Sequence, residues 1–424
     1  MKIYSDVAVA AADILLPSEG TDLNKWAVIA CDQYTSEPEY WQKADEIVGD
    51  APSTLRIVLP EVYLGTDKEA DKLASIASNI DDYLSKGVWA PAIEGFILLD
   101  RSTPLHPTRR GIMLAVDLEQ YNYEPGNKAA IRATEGTVLS RIPPRVRIRA
   151  NAAVELPHIM LLMDDPDDKV IGRAWESLKA SGTKPCYDTD LMQDSGHITG
   201  YYAAAGSKIA DTIVESLREL KAESSDGMIF AVGDGNHSLA SAKAHWDNIK
   251  KSLSEEEKLD HPARFALAEA VNIHDKGIDF EPIHRVVFGI DSKNFIAKAL
   301  EFFDGSTTGD RAVDGMQNFT VTGSDKDTVI SIPNPPHSLA VGSVQILIDK
   351  LIEADPSISV DYIHGEESVR KLATEGRCGI LLDAVSKFSF FDTIVKDGVF
   401  PRKTFSMGEA FEKRFYMEAR KIER

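Results

Sequence analysis

The sequence predicts a mixed α/β fold, and three observations support this prediction. Short apolar runs typical of buried strands recur along the chain, for example at residues 96–100, 158–163 and 228–232. Segments with apolar residues at helical spacing separate them, most clearly residues 207–220. The 424 residues are enough for two or three domains with a sizeable core. Strands that alternate with helices in this way are typical of α/β architecture.

Composition and charge narrow the classes of partner and compartment. A formal net charge of −20 disfavours binding to nucleic acid, although a small anionic ligand responds to local charge instead. No apolar run is long enough to span a bilayer, and residues 1–6 lack the pattern of a signal peptide. The three cysteines are far apart, which argues against a disulfide framework and a zinc site. We therefore expect a cytoplasmic monomer or homodimer that binds no nucleic acid and no membrane.

The N-terminal part of the chain predicts a strand, two helices and a pair of strands. An apolar strand at 27–30 runs into polar residues and then a helix, for which Pro38 suits the first turn. Asp32 and Glu37 follow that strand, where functional sites are often built, although helix capping explains them equally well. Residues 61–90 have a helical pattern, and two strands follow between residues 95 and 118.

The densest basic cluster follows these strands. Arginine suits phosphate because its planar guanidinium donates two parallel hydrogen bonds. For the arginines at alternate positions 145, 147 and 149, a solvated face of a strand or helix is the preferred explanation. A site is the preferred explanation for the residues just before them, namely Arg132, Thr134, Glu135 and Arg141.

One segment in the middle of the chain carries the most informative pattern. After the apolar run at 228–232, Gly235 and Asn236 tolerate the positive φ that an abrupt reversal requires. Apolar residues then recur at helical spacing, which predicts a helix that begins near His237 or Ser238. The start of such a helix attracts anions, because its first N–H groups are unpaired and its dipole is positive there.

Two interpretations of this turn are open. Asp-Gly-Asn is a common turn sequence, and Asp234 or Asn236 would then only cap the helix. His237 and Ser238 favour a functional site, because a titratable imidazole beside an exposed carboxylate is unusual capping material. The acidic run at 164–168 is best explained as a solvated turn rather than a cation site.

The remaining third of the chain contributes further basic residues. His284 and Arg285 follow a proline and open an apolar strand, where a structural role is as plausible as a functional one. Residues 290–360 resemble a smaller α/β unit with helices near 293–303 and 343–354. The tail contains His364 and, after a second proline, the basic residues at 402 and 403, which can reach phosphate. The motifs of nucleotide-binding loops, protein kinases and serine hydrolases do not occur.

Five short motifs, taken together in this order, resemble the bacterial and archaeal family catalogued as domain of unknown function 1015. They are Thr-Glu-Gly-Thr at 134–137, Gly-Asp-Gly-Asn-His-Ser at 233–238, Pro-Ile-His-Arg at 282–285, Asp-Tyr-Ile-His-Gly at 361–365 and Pro-Arg-Lys-Thr at 401–404. The central motif of that family commonly reads Asp-Gly-His-His-Arg. Here Asn236 replaces the first His and Ser238 replaces the Arg, so a phosphate contact from that Arg cannot be transferred.

The central turn is also similar to the motif of the ParB/sulfiredoxin superfamily, which includes kinases of free L-serine. This resemblance implies a ParB/sulfiredoxin-like catalytic core with mixed sheets and an additional smaller α/β unit. It makes Asp234 a magnesium ligand or base and His237 a phosphate contact. A catalytic glutamate of those kinases has its nearest counterparts here in Glu37 and Asp32, and Glu135 is a further candidate.

The resemblance implies a kinase that phosphorylates the hydroxyl of L-serine to give O-phospho-L-serine, with Mg²⁺ and with inorganic diphosphate, ATP or ADP as donor. Phosphoryl transfer mainly requires charge neutralisation and a positioned hydroxyl. The residues expected to bind phosphate or substrate are Arg132, Thr134, Arg141, Gly235, Asn236, Ser238, His284, Arg285, His364, Arg402, Lys403 and Thr404.

The resemblance also implies a domain division and leaves alternatives. We expect a catalytic core at 1–290, with the ParB-like element around 225–250, a smaller domain at 291–360, and a segment at 361–424 that returns to the active site. A phosphohydrolase is the main alternative, and a nucleotide-binding ParB-like module is a weaker one because of the acidic charge. Sulfiredoxin chemistry is excluded, because it requires a cysteine where this turn has Asn236 and His237.

Overall fold

The computed structural model describes residues 1–136, 142–150, 152–323 and 326–423. The chain forms two compact units: the first comprises residues 1–278 and 409–424, and the second residues 279–408. The sequence predicts divisions after residues 290 and 360, and that predicted division into domains stays a prediction.

The first unit is organised around an 11-stranded mixed sheet, in the order β5-β6-β11-β8-β12-β4-β2-β3-β10-β9, with β1 beside β2. Most neighbours are antiparallel, but β6 runs parallel to β5 and β11, and β8 runs parallel to β12. The strands of this unit, with a short β7 outside the large sheet, are β1 (Lys2–Tyr4), β2 (Val9–Ile14), β3 (Ile93–Ser102), β4 (Arg110–Asp117), β5 (Tyr121–Asn122), β6 (Ile131–Arg132), β7 (Val154–Glu155), β8 (Met160–Met163), β9 (Tyr187–Asp190), β10 (His197–Ala204), β11 (Phe230–Asp234) and β12 (Phe265–Asn272).

Both faces of this sheet are buried, which explains its nearly continuous apolar strands. One face packs against the apolar sides of α5, α6 and α7, and the other against α2, α3 and residues 415–419. The helices of the unit are α1 (Leu23–Trp26), α2 (Pro38–Val48), α3 (Glu69–Ser85), α4 (Ile142–Ala150), α5 (Val170–Ser181), α6 (Lys208–Glu223), α7 (Asn236–Ile249) and α8 (Glu257–Asp260). The predicted mixed α/β fold is confirmed.

The second unit contains a seven-stranded sheet of antiparallel pairs, in the order β14-β16-β15-β18-β13-β17, with β19 beside β13. Its elements are β13 (Phe280–Phe288), α9 (Ser292–Phe302), β14 (Thr307–Gly309), β15 (Gln317–Thr322), β16 (Thr328–Ile332), α10 (Ala340–Ala354), β17 (Ser359–His364), α11 (Glu366–Leu372), β18 (Arg377–Leu381), α12 (Phe390–Asp397) and β19 (Phe405–Met407). Helices α9 and α10 cover one face of the sheet with a separate apolar core, and both match the helices predicted in this region.

The C-terminal residues belong to the first unit, where β20 (Arg420–Lys421) pairs with β7. The preceding tail also binds the segment at 27–30. The sequence predicts a strand there, and this prediction is wrong. That segment makes only an isolated bridge, between Ile29 and Phe415. Its backbone instead bonds to the tail, from Ala30 N to the Arg414 carbonyl and from Tyr416 N to the Val28 carbonyl, each at 2.8 Å. The tail therefore fixes the start of the loop that contains Asp32.

One further predicted boundary changes. The helix predicted over residues 61–90 is shorter and forms only α3, because residues 61–68 form a short 3₁₀ turn and other turns. None of the helices in the described ranges has both the length and the apolar composition needed to cross a bilayer.

Candidate active site

The candidate site begins at the turn between β11 and α7. Gly235 is the residue before the helix and adopts the left-handed conformation, with φ 81° and ψ 27°. A Cβ at this position would lie 3.1 Å from the Cα of Ile159, so glycine is required both for its conformation and for the close approach. Helix α7 begins at Asn236, one residue before the predicted start, and no side chain caps it. The predicted capping role of Asp234 or Asn236 is therefore wrong.

The Asn236 side chain instead forms hydrogen bonds with Thr134, two residues after the end of β6. Its side-chain oxygen accepts a hydrogen bond from Thr134 N at 3.2 Å, and its amide donates to Thr134 Oγ1 at 3.1 Å. The Thr134 hydroxyl in turn donates to the Val232 carbonyl at 2.6 Å. Glu135, which follows Thr134 directly, is half-buried. These bonds give Asn236 and Thr134 a structural task.

Asp234 lies at the mouth of the turn and has a cationic partner. One carboxylate oxygen accepts from Gly235 N at 2.9 Å, and the other lies 3.3 Å from Lys413 Nζ. The Asp234 side chain is 22% exposed, whereas that of Lys413 is only 8% exposed. A largely buried ammonium therefore faces a carboxylate that a ligand can reach. Sequence analysis did not identify Lys413.

A histidine missed by the sequence analysis connects this turn to the N-terminal loop. His158 Nε2 lies 2.9 Å from Ser238 Oγ, in the first turn of α7, and 3.9 Å from Asp32 Oδ2. The other ring nitrogen, Nδ1, lies 2.9 Å from the hydroxyl of Tyr416. The N-terminal loop, α7 and the C-terminal tail, which are distant in sequence, thus meet at the imidazole of His158.

The charged state of Asp32 follows from these neighbours. Burial alone would raise the pKa of its carboxyl group, but His158, the Gln33 amide and Lys413 together lower this pKa below its ordinary value. Gln33 Nε2 donates to Asp32 Oδ1 at 3.0 Å. Asp32 is therefore a carboxylate at neutral pH.

The other residues predicted in this unit have different surroundings. Glu37 is exposed, and its side chain makes no capping bond to α2. His237 lies half-buried in the first turn of α7, beside Asn236. Arg132 is buried and ion-paired with Asp226 at 2.6 Å, so its guanidinium already has an anionic partner. Arg141 lies outside the described residues.

The arginines of α4 were expected to form a solvated face, and their positions are mixed. Arg145 pairs with Glu61, and Arg149 pairs with the buried Glu155. These two arginines therefore join α4 to other parts of the first unit.

The second unit contains the remaining predicted residues, and two of them, Arg285 and Arg402, contact one aromatic ring. The guanidinium carbons of Arg285 and Arg402 lie 5.0 and 5.3 Å from the ring centroid of Tyr362. Arg402 also donates to the Tyr362 hydroxyl at 2.9 Å, and Arg285 donates to the Arg402 carbonyl at 3.1 Å. Arg285 is fully buried, whereas Arg402 is exposed. Cation–π contacts thus hold two positive charges together.

The neighbours of this pair are partly committed to the fold. His284 is buried, its Nδ1 accepts from Leu382 N at 3.2 Å, and burial lowers the pKa of its imidazole. Thr404 is also buried, and its hydroxyl donates to the Pro401 carbonyl. His364 and Lys403 are exposed, and Lys403 adopts a positive φ of 57°. The exposed basic side chains can contact an anion from solvent.

Within the described ranges, no three His, Cys, Asp or Glu side chains are grouped so that they could hold a metal ion. The acidic turn predicted to be solvated at 164–168 is exposed at residues 166–168, whereas Asp165 is buried and accepts hydrogen bonds from Lys169 N and Val170 N at the start of α5.

Comparison with solved structures finds distant similarity. A free serine kinase in complex with AMP has a TM-score of 0.38 and 13% identity, over 73% of this chain and 92% of that chain. A mutant of a free serine kinase in complex with ADP has a TM-score of 0.39 and 13% identity over the same shares. A conserved hypothetical protein from Pyrococcus furiosus has a TM-score of 0.36 and 13% identity, over 72% of this chain and 93% of that chain.

Comparison of the sequence gives a firmer result. No curated protein matches the chain. The model of one family, described as "Protein of unknown function (DUF1015)", matches residues 15–351, which is well over half of the sequence. The predicted family resemblance is therefore confirmed: the chain belongs to the DUF1015 family.

Proposed function

We propose that this protein is a small-molecule kinase that transfers a phosphoryl group to the hydroxyl of free L-serine and forms O-phospho-L-serine. One observation carries the proposal. The largely buried Lys413 lies 3.3 Å from the accessible carboxylate of Asp234, immediately before the first turn of α7. Such an arrangement suits phosphoryl transfer, because this reaction requires positioning and charge neutralisation rather than covalent chemistry by the protein.

The start of α7 is suited to the phosphate groups of the donor. The helix has 14 residues, and its first N–H groups and its dipole favour an anion at this end. The Lys413 ammonium adds a positive charge that is already held in place by burial. In a site with little water, such fixed charges stabilise the charge that develops on the transferred phosphoryl group.

The accessible carboxylate of Asp234 suits Mg²⁺. This ion prefers oxygen ligands and is usually held by one or two carboxylates, while substrate phosphates and water complete its coordination. We propose Asp234 as the protein ligand that would hold Mg²⁺. When bound, the ion would neutralise the phosphate oxygens.

The donor we propose is inorganic diphosphate or a nucleotide, either ATP or ADP. Within the second unit, considered by itself, Arg285, Arg402 and Lys403 are candidates for binding a phosphate or a substrate. Their support is the cluster of two guanidinium groups on Tyr362, of which that of Arg402 is open to solvent. Arginine binds phosphate through two parallel hydrogen bonds, which a lysine cannot reproduce.

A product assay tests the proposal. The purified protein is incubated with Mg²⁺ and L-serine, and with ATP, ADP or diphosphate in separate reactions. O-phosphoserine is then measured by mass spectrometry. We expect product with at least one donor, and the productive donor identifies the cosubstrate. Absence of product with all three donors contradicts the proposal, and phosphate release without an acceptor would indicate a phosphohydrolase instead.

Two variants serve as a matched pair in this assay. Asp234→Asn should abolish detectable product, because the amide neither neutralises Lys413 nor binds Mg²⁺ as a carboxylate does. Asp247→Asn makes the same chemical change on α7, where Asp247 pairs with Lys243 at 3.1 Å, and should keep the activity. Equal activity of the two variants would remove Asp234 from the proposed site.

A further inference from the structure

We propose that the acceptor hydroxyl binds at Asp32, that the Asp32 carboxylate takes its proton, and that His158 and Tyr416 are positioning residues for this carboxylate. The inference deepens the proposed function and rests on it. Neither the family motifs nor the central turn assigns His158 or Tyr416 a role.

The loop that contains Asp32 is held by the C-terminal tail. Two backbone bonds of 2.8 Å join residues 28 and 30 to residues 416 and 414. Cys31 N donates to the Tyr416 hydroxyl at 3.1 Å. Asp32 therefore directly follows a segment whose position is fixed by the tail, as a catalytic group requires.

Hydrogen bonds also determine which nitrogen of His158 carries the proton. The Tyr416 hydroxyl accepts from Cys31 N, so its own proton is available for His158 Nδ1 at 2.9 Å. Burial, together with Cys31 and Asp32, raises the pKa of Tyr416 well above its ordinary value, so this donor keeps its proton. In the neutral imidazole the proton therefore lies on Nε2, which faces Ser238 Oγ and Asp32 Oδ2.

This arrangement connects the two sides of the proposed reaction. Ser238 belongs to the first turn of α7, which is the proposed phosphate side, and its hydroxyl and the Asp32 carboxylate both face Nε2 of His158. His158 thus sets the position of Asp32 relative to the phosphate side. The charged and titratable groups around the pair are Lys413 and Tyr416 of the tail and Cys31 of the loop.

Partial exposure combined with a fixed position favours Asp32 over Glu37 as the base. The Asp32 side chain is 29% exposed, so a small hydroxyl compound can reach it while the fold holds it in place. Glu37 is exposed and lies at the start of α2 without a bond that caps the helix. A base for phosphoryl transfer need not be strong, because the hydroxyl proton leaves late in a loose transition state.

In the proposed phosphoryl transfer, each bond that forms is matched by a bond that breaks. An oxygen lone pair of the acceptor hydroxyl forms a bond to the terminal phosphorus of the donor. The bond between that phosphorus and its bridging oxygen breaks, and its electron pair leaves with the remaining phosphate or nucleotide. The hydroxyl proton passes to an Asp32 carboxylate oxygen. The acceptor L-serine, the phosphoryl donor and the Asp32 carboxylate together account for every atom and charge.

Kinetics of carboxylate variants test the base. With the donor that the wild-type protein uses, Asp32→Asn should lower kcat by about 10²–10⁴-fold, while KM for the donor changes little. Glu39→Gln, an exposed carboxylate in the first turn of α2, is the control and should keep kcat within about threefold. Retention of kcat by Asp32→Asn, or a larger loss in Glu37→Gln, overturns the inference.

NMR spectroscopy tests the positioning role without relying on turnover. The ring nitrogens of neutral His158 should show the Nε2–H tautomer, and Tyr416→Phe should remove this preference, because the hydroxyl that donates to Nδ1 is lost. An unchanged tautomer in Tyr416→Phe contradicts the network.

The two failures can be told apart. If the wild-type protein forms no O-phosphoserine with any donor, the proposed function fails and the assignment of Asp32 as a base fails with it. If the wild-type protein forms product and Asp32→Asn forms it equally fast, only the present inference fails. Thermal unfolding of Asp32→Asn close to that of the wild type would exclude misfolding as the cause of a lost activity.

Discussion

Lys413 and Arg414 are neighbours in the sequence, yet they belong to two different sets of charges. Arg414 is 2% exposed and forms ion pairs with Glu269, at 2.6 Å, and with Glu418. Although burial disfavours a charged guanidinium, these two glutamates raise the pKa of Arg414 above its usual value. Lys413 instead lies 3.3 Å from the Asp234 carboxylate, which solvent can reach.

The difference separates charges that hold the fold from charges that remain available to a ligand. The buried set continues with Arg420, which pairs with Glu155 at 2.8 Å. All of these carboxylates are nearly inaccessible. In the second set, the Asp32 and Asp234 side chains are 29% and 22% exposed. A phosphate or Mg²⁺ can therefore join the second set without breaking a buried ion pair.

The largest effect on stability is expected from the buried set. Arg414→Met should lower the free energy of unfolding by about 3–5 kcal/mol, because Glu418 loses its buried cationic partner and Glu269 keeps only the more distant Arg109, at 3.8 Å. Urea and thermal unfolding measure this loss. A small effect, of about 1 kcal/mol or less, would mean that Arg414 is no more structural than a surface ion pair.

The corresponding change at the neighbouring residue should have the opposite profile. Lys413→Met should reduce the rate of phosphoryl transfer by about 10²–10³-fold, which is the usual cost of losing one group that stabilises transition-state charge. Its unfolding temperature should stay near that of the wild type, since its carboxylate partner keeps access to water. Steady-state kinetics and a thermal melt on the same preparation provide both values. Lost stability with retained activity would reverse the assignment of the two residues.

A glycine pair tests whether the turn itself is as constrained as the geometry indicates. Gly235→Ala should destabilise the protein by about 1–2 kcal/mol for the left-handed conformation alone, and the contact with Ile159 adds to this cost. Gly65 has a similar φ of 73° but no atom within 4 Å of a Cβ, so Gly65→Ala measures the conformational cost alone. Equal losses in thermal unfolding would show that the Ile159 contact relaxes freely.

The smallest expected effect is a pH dependence that originates outside the site. Burial, followed by the charge of Arg149, lowers the pKa of His245 to about 4. In the unfolded state His245 therefore binds a proton below pH 6.5, its ordinary pKa. In the folded state it binds this proton only near pH 4. Stability should fall as the pH is lowered through this window and should be unaffected above it. His245→Gln should reduce this slope, measured by urea unfolding between the two values; an unchanged slope would assign it to other groups.

The local parts of this site were predictable from the sequence. An apolar run, a glycine with positive φ and a helical pattern are properties of adjacent residues, so the turn at Gly235 and helix α7 were found within one residue. The mixed α/β class followed from the same local patterns. Asp32 was identified as a candidate because it follows an apolar segment.

The missing parts depend on contacts between distant residues. Tyr416 and His158 are separated by 258 positions, and neither belongs to a short motif. The same long-range pairing explains why the segment at 27–30 bonds to the tail rather than to the sheet. The one local signal of Lys413 was the Lys-Arg pair within the apolar and charged run at 411–420. A single sequence does not show which of these two cations is buried in ion pairs and which faces a site.

Calorimetric titration tests most directly whether the second set of charges is a phosphate site. Mg²⁺–diphosphate and Mg²⁺–ATP are titrated separately into the wild-type protein, Lys413→Met and Lys243→Met. Lys243 is the control, because it lies on α7 and pairs with Asp247. We predict that one ligand binds the wild type, that Lys413→Met weakens this binding by about tenfold or more, which is about 1.4 kcal/mol, and that the control changes it little. Equal affinity of Lys413→Met and the wild type would contradict a phosphate site at the start of α7.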